Sequence, residues 1–178
     1  MEKYTDPGNP VVSVHIGNVL VSNVLIDLWA AINVMTKQTI DQLRLSHLHP
    51  TPTVLELADR SKIKPEGVSD GVIISLDSWE YPANFIVLQP KNPVGGHHLI
   101  LGRPWLVTAD AYIGCHSSDM YIARGYSRKK VTLYPPARSI QDLRGTLWLD
   151  QSNYEEFNLF PLSIIILGLH KKMRFKIS

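Results

Sequence analysis

The segment VVSVHIGNVLVSNVLID, residues 11–27, alternates apolar and polar residues on both sides of Gly17-Asn18. Successive side chains of a strand point to opposite faces, so such alternation suits a sheet with one face buried, and a two-residue Gly-Asn turn suits antiparallel neighbours. The pattern predicts a β-hairpin whose second strand runs out at Asp27. Similar short runs follow along the chain. TVLELA and KIKPEG flank a turn at Asp59-Arg60-Ser61, and GVIISL and YPANFIVL flank one at Asp77-Ser78-Trp79. LILG reads as a short, wholly apolar strand, and AYIGC, MYIA and KVTLY as three more. Two helical pieces interrupt them: TKQTIDQLRL, capped by Thr36 with Ile40 and Leu43 on one face and ended by HLHPTP, and the proline-initiated turn RPWLVTA. The expected class is mostly β, with one or two short helices.

A chain of 178 residues with 44% apolar and 19% charged residues is long enough for one domain with a proper core plus a tail. The boundaries fall as an N-terminal extension over 1–9, the β domain over 10–136, and a tail over 137–178. FPLSIIILGLHKKMRFKIS in that tail is strand-like without a clear place in the sheet. It reads either as a terminal strand or as the product of a broken reading frame. A formal net charge of +2 argues against an extended nucleic-acid footprint, so Arg128, Lys129 and Lys130 read as solvated surface, as do Lys171, Lys172, Arg174 and Lys176. The apolar run at 161–169 is too short to cross a bilayer, so no membrane partner is expected. Cys115 is the single cysteine, and MEKYTDPGNP lacks the apolar core of a signal peptide; together they suit an intracellular, cytoplasmic setting. His97 and His98, without a further ligand nearby in sequence, read as surface rather than a metal site, and Trp79, Trp105 and Trp148 as packing residues.

A carboxylate at the end of a buried strand costs several kcal/mol unless it has partners or a task. One structural answer for Asp27 is to cap the turn that follows through backbone N–H groups. One chemical answer is peptide hydrolysis by two carboxylates sharing a proton, one acting as base on water and the other as acid toward the carbonyl oxygen. That chemistry needs no metal and no cofactor.

The order of elements decides between them. A strand ending in Asp27-x-x-Ala30, then LELADRSKIKPEG, then YPANFIVL, then LILGRPWL, resembles in turn the signature loop, the flap hairpin, the strand after it and the apolar-apolar-Gly support of retropepsin-like aspartic proteases. The wording of DSWEYPANFIVLQPK and LILGRPWLVTADAYIGC is similar to the protease domain in Gag-Pol polyproteins of plant gypsy-type long-terminal-repeat retrotransposons. The resemblance implies a closed acid-protease barrel, a homodimer in which each chain supplies one Asp27, and an extended peptide or polyprotein substrate. It places the active-site loop at Leu28, Trp29 and Ala30, the flap and substrate-binding residues at Ala58, Asp59, Arg60 and Ser61 with the tip at the last three, and structural support at Gly102 and Arg103. No second Asp-Thr/Ser-Gly occurs, so a two-lobed single-chain enzyme is excluded.

Trp29 departs from that family: it stands where the signature carries glycine, at a point where two symmetry-related loops nearly touch. Leu28 removes a hydroxyl found in retroviral relatives, Ala31 replaces a frequent serine, and His98 replaces a frequent proline. Overpacking a tight site costs about 1–3 kcal/mol, and a 1 Å displacement of catalytic groups about a hundredfold in rate. The expectation is an aspartic endopeptidase domain impaired by Trp29. The alternative is the same fold without catalysis, as a dimerising or peptide-binding module or a relic.

Overall fold

The structure is a computed structural model, described here over residues 9–56, 60–89 and 97–133. The first hairpin forms as the alternation predicts: β1 (Val11–Ile16) and β2 (Val19–Ile26) pair antiparallel, with Ile16 opposite Val19 and Gly17 in the left-handed region at φ +58°. Val12, Val14 and Ile16 face inward and are buried while Ser13 and His15 face outward.

Beyond β2 the chain makes a six-residue excursion and returns as β3 (Asn33–Thr36), followed by α1 (Lys37–Gln42). Thr36 caps that helix by accepting from the Thr39 backbone N–H at 3.2 Å. The helix is shorter than its apolar spacing suggested. Leu43 is the C-cap, and Arg44 at φ +53° turns the chain away, although Leu43 still packs against the core.

β4 (Leu55–Glu56) and β5 (Lys62–Ile63) make a small antiparallel pair, and β6 (Gly67–Leu76) and β7 (Trp79–Leu88) a long hairpin. Trp79 is not in the turn, as its sequence suggested, but is the first residue of β7, opposite Leu76. Asp77 at φ +53° carries the tight bend instead. The apolar LIL run becomes β8 (Leu99–Leu101), buried throughout, and α2 (Arg103–Thr108) follows at once. β9 (Tyr112–Gly114), β10 (Asp119–Arg124) and β11 (Ser127–Thr132) form a separate three-stranded sheet.

Six strands close into a barrel in the order β1-β2-β8-β3-β7-β6, with His15 opposite Ser75 sealing it. This topology positions the site. β8 lies between β2 and β3, parallel to the first and antiparallel to the second, so the excursion between β2 and β3 has to wrap over the end of β8. Whatever follows Leu101 then lies directly beneath that loop.

The main core fills the barrel and the space under α2 and the small sheet, with Phe85, Met35, Trp105, Met120 and Ile122 among its fully buried members. Trp105 meets Tyr81 edge-on at 6.0 Å, and its indole N–H has no hydrogen-bond partner among the described residues. Trp105→Ala should therefore lose about 3–5 kcal/mol of stability in urea unfolding. Trp105→Phe, which sheds the unsatisfied N–H along with some volume, should lose less than about 2 kcal/mol.

Candidate active-site loop

A second apolar cluster underlies the excursion and holds Leu25, Ala30, Val34, Leu55, Leu88 and Ile100, with Ile63 packed against it. Ala30 is fully buried in it, and Leu55 and Ile63 bring the β4–β5 pair to the same patch. The loop and the small hairpin therefore share one footing.

Asp27 leaves β2 with its own N–H donating to Leu101 O at 3.0 Å, and the residue is only 8% exposed. Its Oδ1 accepts from the backbone N–H groups of Trp29 at 2.8 Å and Ala30 at 3.2 Å. This is the capping arrangement expected of a strand-end carboxylate, and it meets the cost of burial with fixed donors. It also leaves Oδ2 untouched by either loop N–H.

Arg103 holds the other side of the same peptide units. Its Nη1 donates to Leu28 O at 3.3 Å and Trp29 O at 2.9 Å, and its backbone N–H donates to Ala30 O at 3.0 Å. A peptide unit is planar, so fixing the carbonyl of Leu28 fixes the N–H of Trp29, and fixing the carbonyl of Trp29 fixes the N–H of Ala30. The guanidinium thus orients both donors that reach Asp27, and bonds in series through a peptide unit polarise one another.

Gly102 has no room for a side chain. A Cβ there would lie 2.3 Å from Ile32 O, 2.7 Å from Ala30 O and 3.0 Å from Ala30 Cβ. At φ −92° its backbone is one any residue adopts, so contact rather than conformation demands glycine.

Trp29 behaves differently from a residue crammed into a glycine's place. Its backbone is outside the left-handed region, its N–H forms the carboxylate cradle as any residue's would, and the residue is 72% exposed. Within one chain the loop is not overpacked. Leu28 beside it is 54% exposed, so the surface next to Asp27 presents two large apolar side chains to the outside.

Of the flap residues, Arg60 and Ser61 are exposed, with Arg60 at φ +63°, whereas Ala58 and Asp59 lie outside the described residues. So do Trp148 and the expected tail at 137–178. The basic run at 128–130 is less uniform than its sequence suggests: Lys129 pairs with Asp77 at 2.9 Å and lies over Trp79, while Lys130 pairs with the buried Asp119 at 2.8 Å. Among the described residues no group of three or more His, Cys, Asp or Glu side chains is placed to hold a metal, and no helix is long and apolar enough to cross a membrane.

The adjacent histidines are half-buried rather than free on the surface. His97 Nδ1 lies 3.0 Å from Asn23 O, and the His98 carbonyl accepts from Thr36 N–H. Burial, reinforced by the neighbouring His97, lowers the His98 pKa below its ordinary 6.5. The unfolded chain then binds the proton more readily than the folded one, so this residue's stabilising contribution is present above that ordinary value and is lost as pH falls below it. His98→Gln should flatten the decline of the melting temperature on the acid side of about pH 6.5, as read by thermal unfolding across a pH series.

Sequence reasoning passed over Asn33. It is 2% exposed, its Oδ1 accepts from Gly102 N–H at 2.9 Å, and its Nδ2 donates to Asn84 O at 3.0 Å. The available signal was an amide side chain inside the apolar run INVM, since a buried amide must find partners.

No protein-family model and no curated protein sequence matches the chain. Among solved structures, the fold is similar to the retroviral protease-like domain of Ddi1 from Leishmania major, with a TM-score of 0.54 and 20% sequence identity over 76% of this chain and 96% of that one. With a closed six-stranded barrel and two short helices among its described residues, the chain has a retropepsin-like fold.

Proposed function

We propose that the chain is the aspartic endopeptidase domain of a retrotransposon polyprotein of the plant gypsy type, acting as a homodimer and impaired by Trp29. The observation that carries this reading is Asp27 at the end of β2, with Oδ1 held by two loop N–H groups whose peptide units are fixed from behind by Arg103. In the dimer the two Asp27 carboxyls lie about 3 Å apart and share one proton, because like charges that close do not both ionise. One Oδ2 takes a proton from the attacking water while the other carboxyl protonates the peptide carbonyl oxygen, giving a tetrahedral diol; the first carboxyl then gives its proton to the peptide nitrogen as the C–N bond breaks and the second takes one from a diol hydroxyl, which releases acid and amine and restores the dyad. Substrate lies extended beneath the two flaps, pairing with them backbone to backbone. The exposed Leu28 and Trp29 support an interface on this face, since adjacent large apolar side chains beside a functional group mark contact surfaces.

The outward indole also favours a second reading, in which the fold dimerises or binds peptide without cutting. Cleavage of a mixed peptide library at mildly acidic pH, read by mass spectrometry, separates the two. Slow cutting that disappears in Asp27→Asn supports the protease; library peptides bound but uncut by the natural chain and by Trp29→Gly support the binding module.

A further inference from the structure

We infer that Asn33 is a positioning residue for Asp27, a role that rests on the protease reading of the loop. Its carboxamide is the tie between the loop's support and the barrel wall. On one side Oδ1 accepts from Gly102 N–H, immediately before Arg103, and Gly102 is wedged against the carbonyls of Ala30 and Ile32. On the other side Nδ2 donates to Asn84 O in β7, and the Asn84 side chain accepts from Gly71 N–H at 2.8 Å. Gly71, at φ +65°, sits where β6 carries one extra residue against β7, between the Ser69–Phe85 and Val72–Ala83 pairs.

The amide therefore joins three separate backbones: β3 just after the loop, the turn under the loop, and the β6–β7 hairpin at its bulge. Gly102 has only backbone with which to be held, and the carboxamide holds its N–H at the level where Arg103 Nη1 meets the carbonyls of Leu28 and Trp29. Without that anchor the Gly102-Arg103 turn is free to shift, and the Trp29 and Ala30 N–H groups lose their aim at Oδ1. An apolar residue of similar size would fill the space and still fail, because Gly102 N–H would be left buried without its acceptor and the link to Asn84 O would be lost.

The test is amide hydrogen exchange resolved by residue, which needs no turnover and so stays separate from the success or failure of the protease reading. In Asn33→Leu, the amides of Gly102, Trp29 and Ala30 should exchange about tenfold faster relative to barrel amides such as Val14 and Val24 than they do in the natural chain. Unchanged relative protection at Trp29 and Ala30, or equal acceleration everywhere, overturns the inference. Asn33→Asp keeps the test decisive should the leucine variant not fold. Its protonated carboxyl can accept from Gly102 and donate to Asn84, whereas its carboxylate cannot donate. Protection at Trp29 and Ala30 should therefore recover, relative to the barrel amides, as pH falls, and a pH-independent pattern overturns the inference as well. Where peptide cleavage is measurable, kcat should fall in Asn33→Leu with KM little changed, and in Asn33→Asp the fall should lessen as pH is lowered.

Discussion

Trp29→Gly should raise the rate of peptide cleavage by about a hundredfold over the natural chain, and adding Asp27→Asn should remove the gain. The reason lies between chains rather than within one. The Trp29 backbone serves the carboxylate cradle without strain and its indole is directed outward, so a single chain tolerates the substitution. Two such chains brought together so that their carboxyls share a proton have to accommodate two indoles beside the dyad. A separation larger by about 1 Å would account for the proposed impairment. Glycine removes the bulk and keeps the N–H, so the cradle survives the change. Equal rates for the natural and glycine chains would show that the loop pair accepts the indoles.

Gly102→Ala should destabilise the fold by at least about 3 kcal/mol in denaturant unfolding, more than an added methyl usually does. The new Cβ has no flexible neighbour to displace: the atoms at 2.3 and 2.7 Å are backbone carbonyl oxygens of the loop itself. Relief requires the Gly102-Arg103 turn to move away from the loop, which also breaks the Asn33 bond and draws Arg103 from the carbonyls of Leu28 and Trp29. Cleavage should fall with stability. A cost within about 0.5 kcal/mol would mean that the loop is not seated against this turn as described.

Much of the barrel was legible because its strands are half-buried and alternate, as in β1 with Val12, Val14 and Ile16 inward. The β1–β2 turn was legible because Gly17-Asn18 has few other uses at that spacing. The insertion of β8 between β2 and β3 was not, since a three-residue apolar run carries no information about its neighbours. Helix α1 stopped early because its C-terminal turn is set by Arg44 in the left-handed region, a backbone choice that arginine does not advertise. At the site, Asp27, Gly102 and Arg103 stood out by residue type and order. Asn33 did not, because its meaning depends on Gly102 and Asn84, distant in sequence and joined only by the closed barrel. Trp29 was legible as a departure but not in its direction: residue type alone does not say that the side chain turns away from its own loop.

The most direct measurement is subunit mixing. Trp29→Gly chains held at fixed concentration are equilibrated with increasing amounts of the Asp27→Asn chain in the same Trp29→Gly background, and peptide cleavage is followed. If each active unit needs one Asp27 from each of two chains, an excess of about ninefold should reduce activity to about a tenth by drawing active chains into mixed dimers. Activity that ignores the added chain would contradict a shared dyad and place catalysis, if any, within a single chain.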